Sequence, residues 1–213
     1  MGRPWVTLPL RRLTVVAAIL GGLILLPLAL PARAHRWTDA SITYWADPAA
    51  RPAVMVAAHR WNATGIGVRF RRVTDPRDAE VLVRADHGRL RGLCGADCLG
   101  WTSTLGEPPS GRTTVTLGQH IVKSLSPLSV WVAAHELGHV LGLAHRRSDT
   151  CTLMKPKAFV GACKPSPSRS GVLSEGLQCI PAPPDVQAAA KLYGRDPKAD
   201  YELPAAGTCT VRR

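Results

Sequence analysis

The amino-acid sequence predicts an α+β fold, with short strands gathered in the first half of the chain and a buried helix at its centre. Three observations point there. Residues 41–45, 67–73, 79–84 and 112–117 alternate apolar and polar side chains, the period-two pattern of strands with one buried face. The segment Pro127–Leu141 is nearly uniform in apolar residues, with His135, Glu136 and His139 standing out, and a helix that is apolar all round is a buried one. Residues 155–184 are broken by prolines and glycines before one last helical pattern.

The first thirty-four of the 213 residues stand apart from that fold. Arg3, Arg11 and Arg12 precede an uncharged run from Leu13 to Leu30, and Ala32-Arg33-Ala34 follows. This is the layout of a secretory signal with a small-x-small cleavage site. A retained membrane anchor is the competing reading, because the run is near the lower limit of spanning length. Pro27 and the Gly21-Gly22 pair favour removal. The expected organisation is a leader over 1–34 and one domain over 35–213, irregular after about 195. The exported chain is expected to be secreted, monomeric and free of the membrane.

Within the domain, Ile42 and Tyr44 oppose Thr43 and Trp45 in a first strand that Asp47-Pro48 ends. Pro52 suits a first helical turn, and Val54, Val56, Ala57, Ala58 and Trp61 line one broad apolar face before Asn62 and Gly65 stop the helix. Strands over Gly67–Val73 and Ala79–Arg84 follow, separated by Thr74-Asp75-Pro76. The glycine-rich stretch from Ala85 to Ser110 reads as a loop holding one short strand near Trp101–Thr104, and Arg112–Leu117 reads as another strand. On the same reading His59 lies on the first helix, and His87 and His120 lie in loops. Ser126-Pro127 starts the central helix. The last helix covers Pro184 to Tyr193, with Val186, Ala189, Ala190 and Tyr193 inward.

All six cysteines, Cys94, Cys98, Cys151, Cys163, Cys179 and Cys209, follow the leader. An even count in an exported chain suggests three disulfides among fifteen possible pairings. Proximity favours Cys94 with Cys98, Cys151 with Cys163 and Cys179 with Cys209, although it is a weak guide to connectivity. The formal net charge is +12, and four leader arginines leave +8 on the remainder. The basic residues are scattered, with no aromatic-interleaved cluster of the kind that marks a nucleic-acid groove.

The chemistry is concentrated in His135-Glu136-Leu137-Gly138-His139-Val140-Leu141-Gly142-Leu143-Ala144-His145. Residues four apart share a helix face, so His135 and His139 can offer imidazoles to one ion. Glu136 lies beside His135, where its carboxylate reaches a metal-held water without being a ligand. Gly142 supports a left-handed turn that ends the helix and returns His145 as a third ligand. Three protein ligands leave a fourth position open, as catalytic zinc requires.

This eleven-residue pattern resembles that of the metzincin zinc peptidases. The likeness continues in Cys151-Thr152-Leu153-Met154-Lys155-Pro156, which is similar to the methionine-containing turn of that clan, so Met154 would underlie the histidines without binding zinc. Among metzincins, the matrixin-type catalytic domain is the most similar. Trp37 with Ile42-Thr43-Tyr44, Trp61-Asn62 with Val68-Arg69-Phe70, Ala79-Glu80-Val81, and Asp185-Val186 with Leu192-Tyr193-Gly194 carry that likeness over roughly 37–194.

The resemblance implies a twisted, mostly parallel five-stranded sheet with two helices above an active-site cleft. Below lies a small irregular subdomain with a C-terminal helix. It implies that Trp101–Thr104 is the edge strand that pairs with an extended peptide substrate. It further implies a secreted metalloendopeptidase with one catalytic Zn2+ on His135, His139 and His145, Glu136 as general base, and Gly142 and Met154 in support. The chain departs from the family at Asp86-His87, where the Cys94–Cys98 loop follows with few further ligands, so a second zinc is not expected. Ca2+ is left open, with no ligand pattern that supports it. The competing function is a catalytically silent zinc-binding adhesin or cell-wall module of the same fold, against which Glu136 argues.

Overall fold

The computed structural model describes residues 36–108, 110–147, 152–157 and 180–195. The chain divides into two units, Met1–Ala32 and Arg33–Arg213, and every described residue lies in the second. The leader, His35, Cys151, Cys163, Cys179, Cys209 and the chain beyond 195 fall outside the described residues. No described helix is long and apolar enough to cross a membrane.

Five strands form one sheet: β1 (Ser41–Ala46), β2 (Arg69–Arg72), β3 (Val81–Ala85), β4 (Gly100–Thr102) and β5 (Thr113–Leu117). Their spatial order is β2-β1-β3-β5-β4. All neighbours are parallel except β4 with β5, so the expected mostly parallel sheet is present. Parallel neighbours need crossovers, and α1 (Arg51–Ala63) provides the one from β1 to β2. Registers such as Ile42 with Phe70 and Val83 with Val115 place apolar side chains beside one another on the covered face.

The central helix is α4 (Pro127–Val140). Ser126 caps it: its hydroxyl accepts from the Ser129 N–H, and the Ser129 hydroxyl accepts from the Ser126 N–H. Pro127 at the first helical position costs nothing there, since that N–H has no intrahelical partner. Residues 129–140 of α4 are all buried. They pack with Ala53, Val54, Ala57, Ala58 and Trp61 of α1 and with Tyr44, Val81, Val83 and Leu117 of the sheet in one core. The Trp61 indole N–H donates to the Ala134 carbonyl at 2.9 Å, which fixes α1 against α4. At the other end of α4, where carbonyls lose their helical partners, Trp37 Nε1 donates to Val140 O at 2.7 Å and the Tyr193 hydroxyl to Leu141 O at 3.0 Å. The terminal helix α5 (Pro183–Tyr193) buries Val186, Ala189 and Ala190 as expected, with Tyr193 half-buried.

Two elements correct the sequence reading. The expected loop over Ala85–Ser110 contains α2 (His87–Cys94), and α3 (Gln119–Val122) follows β5. His87 and His120 therefore open α2 and lie in α3, and are not in loops. Gly88 and Gly92 make the α2 segment a poor helix former. Its helix rests instead on the Asp86 cap, which accepts from the Arg89 N–H at 2.9 Å, and on the single buried anchor Leu90. The Cys94–Cys98 disulfide is formed and leads the chain into β4.

Candidate metal centre

His135 and His139 sit one turn apart on α4, and the helix ends just past them. Gly142 adopts a φ of +94°, a left-handed conformation costly for other residues, and the chain reverses toward His145. The reversal is held where it matters: the Arg146 N–H donates to Met154 O at 2.8 Å, which ties the residue after His145 to the turn beneath α4. The result brings all three histidines together. His145 Nε2 lies 3.1 Å from His135 Nε2 and 3.1 Å from His139 Nε2. Among the described residues, this is the one group of three His, Cys, Asp or Glu donors close enough to share an ion.

The remaining ring nitrogens show what this cluster is suited to hold. His135 Nδ1 is 2.7 Å from Leu153 O, and His139 Nδ1 is 2.7 Å from Leu143 O. A carbonyl only accepts, so each Nδ1 carries the proton and each Nε2 presents a lone pair. His145 has at most one N–H to offer from its Nε2 and cannot satisfy both. A cation among the three nitrogens satisfies them together. Tetrahedral zinc with ordinary Zn–N bonds sets its ligand nitrogens ~3.3 Å apart, close to the spacing present. Backbone carbonyls fixing the second ring nitrogen are a usual accompaniment of metal-binding histidines.

Electrostatics agree with neutral imidazoles. Burial, aided by the neighbouring His139, pushes His135 down to about 3. Burial likewise pushes His139 down to about 4 and lowers His145. The Trp131 indole stacks on the His135 ring, with centroids 5.1 Å apart, and limits its rotation.

Glu136 is buried beside the cluster. Its carboxyl is pushed up to about 7 by burial, against the pull of a hydrogen bond from Thr102. The Thr102 hydroxyl donates to Glu136 Oε2 at 2.6 Å. Thr102 and Gly100 were not legible as site residues, because nothing in sequence places β4 over α4.

Met154 is fully buried under α4 against Gly138, where a Cβ would come within 2.5 Å of the Met154 sulfur. The turn that carries it hangs on Asp185 of α5. The Asp185 carboxylate accepts from Leu153 N at 2.7 Å, Ala182 N at 3.2 Å, Met154 N at 3.4 Å and the Thr152 hydroxyl. Burial raises the Asp185 carboxyl and these bonds pull it back. Sequence reasoning placed Asp185 in the last helix without this role. The available signal was an acidic residue in the first turn after two prolines, which reads equally well as an ordinary helix cap.

The cluster opens into a cleft of about 1020 Å³. It is lined by the Cys94–Cys98 loop and β4, by His135, Glu136 and His139, and by His145 and Lys155–Lys157. β4 is an end strand of the sheet.

No protein-family model and no curated protein matches the chain. Similar solved structures include a crystal structure of myroilysin, 18% identical with a TM-score of 0.49, the match covering 75% of this chain and 86% of that one. A second myroilysin structure is 23% identical with a TM-score of 0.39. That match covers 55% of this chain and 47% of the other, so it spans about half of that protein's length. High choriolytic enzyme 1, a hatching enzyme zinc-protease from Oryzias latipes (medaka fish), is 14% identical with a TM-score of 0.44, over 76% of this chain and 94% of that one.

Proposed function

We propose that this chain is a metzincin-type zinc metalloendopeptidase, exported after removal of residues 1–34, in which His135, His139 and His145 hold Zn2+ and Glu136 is the general base. One observation supports this above the rest: three Nε2 atoms converge beside a buried carboxylate in an open cleft. Zinc bound there supplies an acidified water and polarises the peptide carbonyl. Glu136 takes the proton of the attacking water and returns it to the leaving amine. The outer edge of β4, which pairs with no other strand among the described residues, offers backbone N–H and C=O groups to an extended peptide, and so lays the scissile bond across the histidines.

The test is hydrolysis of a quenched-peptide library by the mature protein before and after chelation, with bound zinc quantified. Cleavage that chelation abolishes and added zinc restores is the expected result. One zinc per chain with no cleavage of any peptide or protein would replace this reading with a silent zinc-binding module.

The lowered histidines give a second expectation. Protons compete with zinc only for imidazoles that accept them. Three ordinary histidines would lose about 10³-fold in zinc affinity between neutral pH and about pH 5.5. Burial keeps His135 and His139 neutral as pH falls and lowers His145 as well, so the loss should be smaller. Chelator competition at the two pH values checks this, and a full three-proton loss would contradict it.

A further inference from the structure

Both oxygens of the Glu136 carboxylate are governed by one short strand. Alternate residues of a strand share a face, and the two positions of β4 that face α4 are Gly100 and Thr102. At Gly100, a Cβ would lie 2.5 Å from Glu136 Oε1 and within 2.9 Å of its Cγ and Cδ. Only a residue without a side chain leaves that volume to the carboxylate. At Thr102, the hydroxyl donates to Oε2 at 2.6 Å, with the Glu136 carbonyl a more distant 3.3 Å away. The carboxylate is thus held by one oxygen and given room at the other, Oε1, which no donor among the described residues occupies.

We infer that Thr102 is a positioning residue for the general base: its hydroxyl fixes Glu136 through Oε2, Gly100 makes room for that rotamer, and Oε1 is thereby presented to the attacking water. This rests on the peptidase reading above and assigns a role within it. Without the Thr102 hydroxyl a glutamate side chain has three torsions free to turn, and misplacement of a catalytic group on the scale of an ångström costs up to about 10²-fold in rate. The same edge strand that offers its backbone to the substrate therefore also aims the base. A displacement of β4 by a poorly fitting peptide would misalign the carboxylate at the moment of binding.

The test compares Thr102→Val, Thr102→Ser and Gly100→Ala with the parent protein, each zinc-loaded and with its melting temperature recorded. Thr102→Val is expected to lower kcat by about 10-fold to 10²-fold with KM and zinc content unchanged. Thr102→Ser, which keeps the hydroxyl, should return kcat to within about threefold of the parent, and Gly100→Ala should lower kcat as Val does. An infrared difference measurement at fixed pH, with the Glu136 band identified by its loss in Glu136→Gln, reads the hydrogen bond without turnover. That band should shift in Thr102→Val and return in Thr102→Ser. Unchanged kcat and an unchanged band in Thr102→Val, or a serine variant as impaired as the valine, would overturn the inference. Should the parent protein cleave nothing, the peptidase reading fails by itself, and the band shift alone decides whether Thr102 holds the carboxylate.

Discussion

Glu136→Gln is expected to lower kcat/KM by about 10²-fold to 10⁴-fold while zinc content stays unchanged. The substitution keeps the side chain's shape, and the Thr102 hydroxyl can still donate to the amide oxygen, so the Thr102 contact survives. What is lost is the ability to take a proton. The bonds from His135 and His139 to Leu153 O and Leu143 O do not involve residue 136, which is why metal content should not follow activity. A stability signature accompanies the loss. The Glu136 carboxyl is pushed up to about 7 in the fold against an ordinary 4.5, so its contribution is fully present below the ordinary value and is lost as pH rises through about 7. Glutamine carries no such loss. The metal-free variant should therefore melt above the metal-free parent on the alkaline side of neutrality and lose that advantage in acid. Kinetics with metal analysis and paired melting curves check both parts; a variant retaining activity within a few-fold would remove Glu136 from the base's role.

Asp185→Ala is expected to destabilise the fold by about 3–5 kcal/mol and to weaken zinc binding by about 10-fold to 100-fold. The carboxylate accepts from three backbone N–H groups and one hydroxyl, all buried. Alanine takes the carboxylate from the buried Leu153 and Ala182 N–H groups, each loss costing about 1–3 kcal/mol, while Met154 N keeps the Thr152 hydroxyl oxygen at 3.2 Å. For a chain of this size the melting temperature should fall by roughly 10 °C. The zinc effect is indirect: the turn held by Asp185 contains Leu153, whose carbonyl orients His135. Asp185→Asn should be milder, because Leu153 N and Ala182 N both donate to the same oxygen and the amide can present an oxygen to that pair or to its opposite side, not to both. Thermal melts and chelator competition on the two variants check the order, and an alanine variant that binds zinc like the parent would detach Asp185 from the metal centre.

Much of this was legible in sequence because the relevant residues are local. His135, His139 and His145 lie within eleven residues, and their convergence follows from one helical turn and one left-handed glycine. The strands announced themselves by alternation, and α4 by its unbroken apolar character ahead of the motif. What stayed hidden depends on contacts between distant segments. Thr102 meets Glu136 across 34 positions and Asp185 meets Leu153 across 32, and neither residue type is unusual where it stands. The helix α2 stayed hidden for the opposite reason. Its own glycines argue against it, and the Asp86 cap, Leu90, the His87–His120 ring contact and the adjoining disulfide hold it. The pairing of Cys151, Cys163, Cys179 and Cys209 lies outside the described residues.

The far end of α4 is latched from both directions along the chain, by Trp37 from 103 residues upstream and by Tyr193 from 52 residues downstream. Helical turns can form early, since their bonds are local, but these latches close loops spanning most of the domain, and such closures come late in folding. A nascent chain would therefore display its histidines well before it could fix them. Assembly of a competent centre is deferred until residue 193 has been synthesised and docked. On the peptidase reading proposed above, that timing is itself a safeguard: hydrolytic power arrives only with the finished fold.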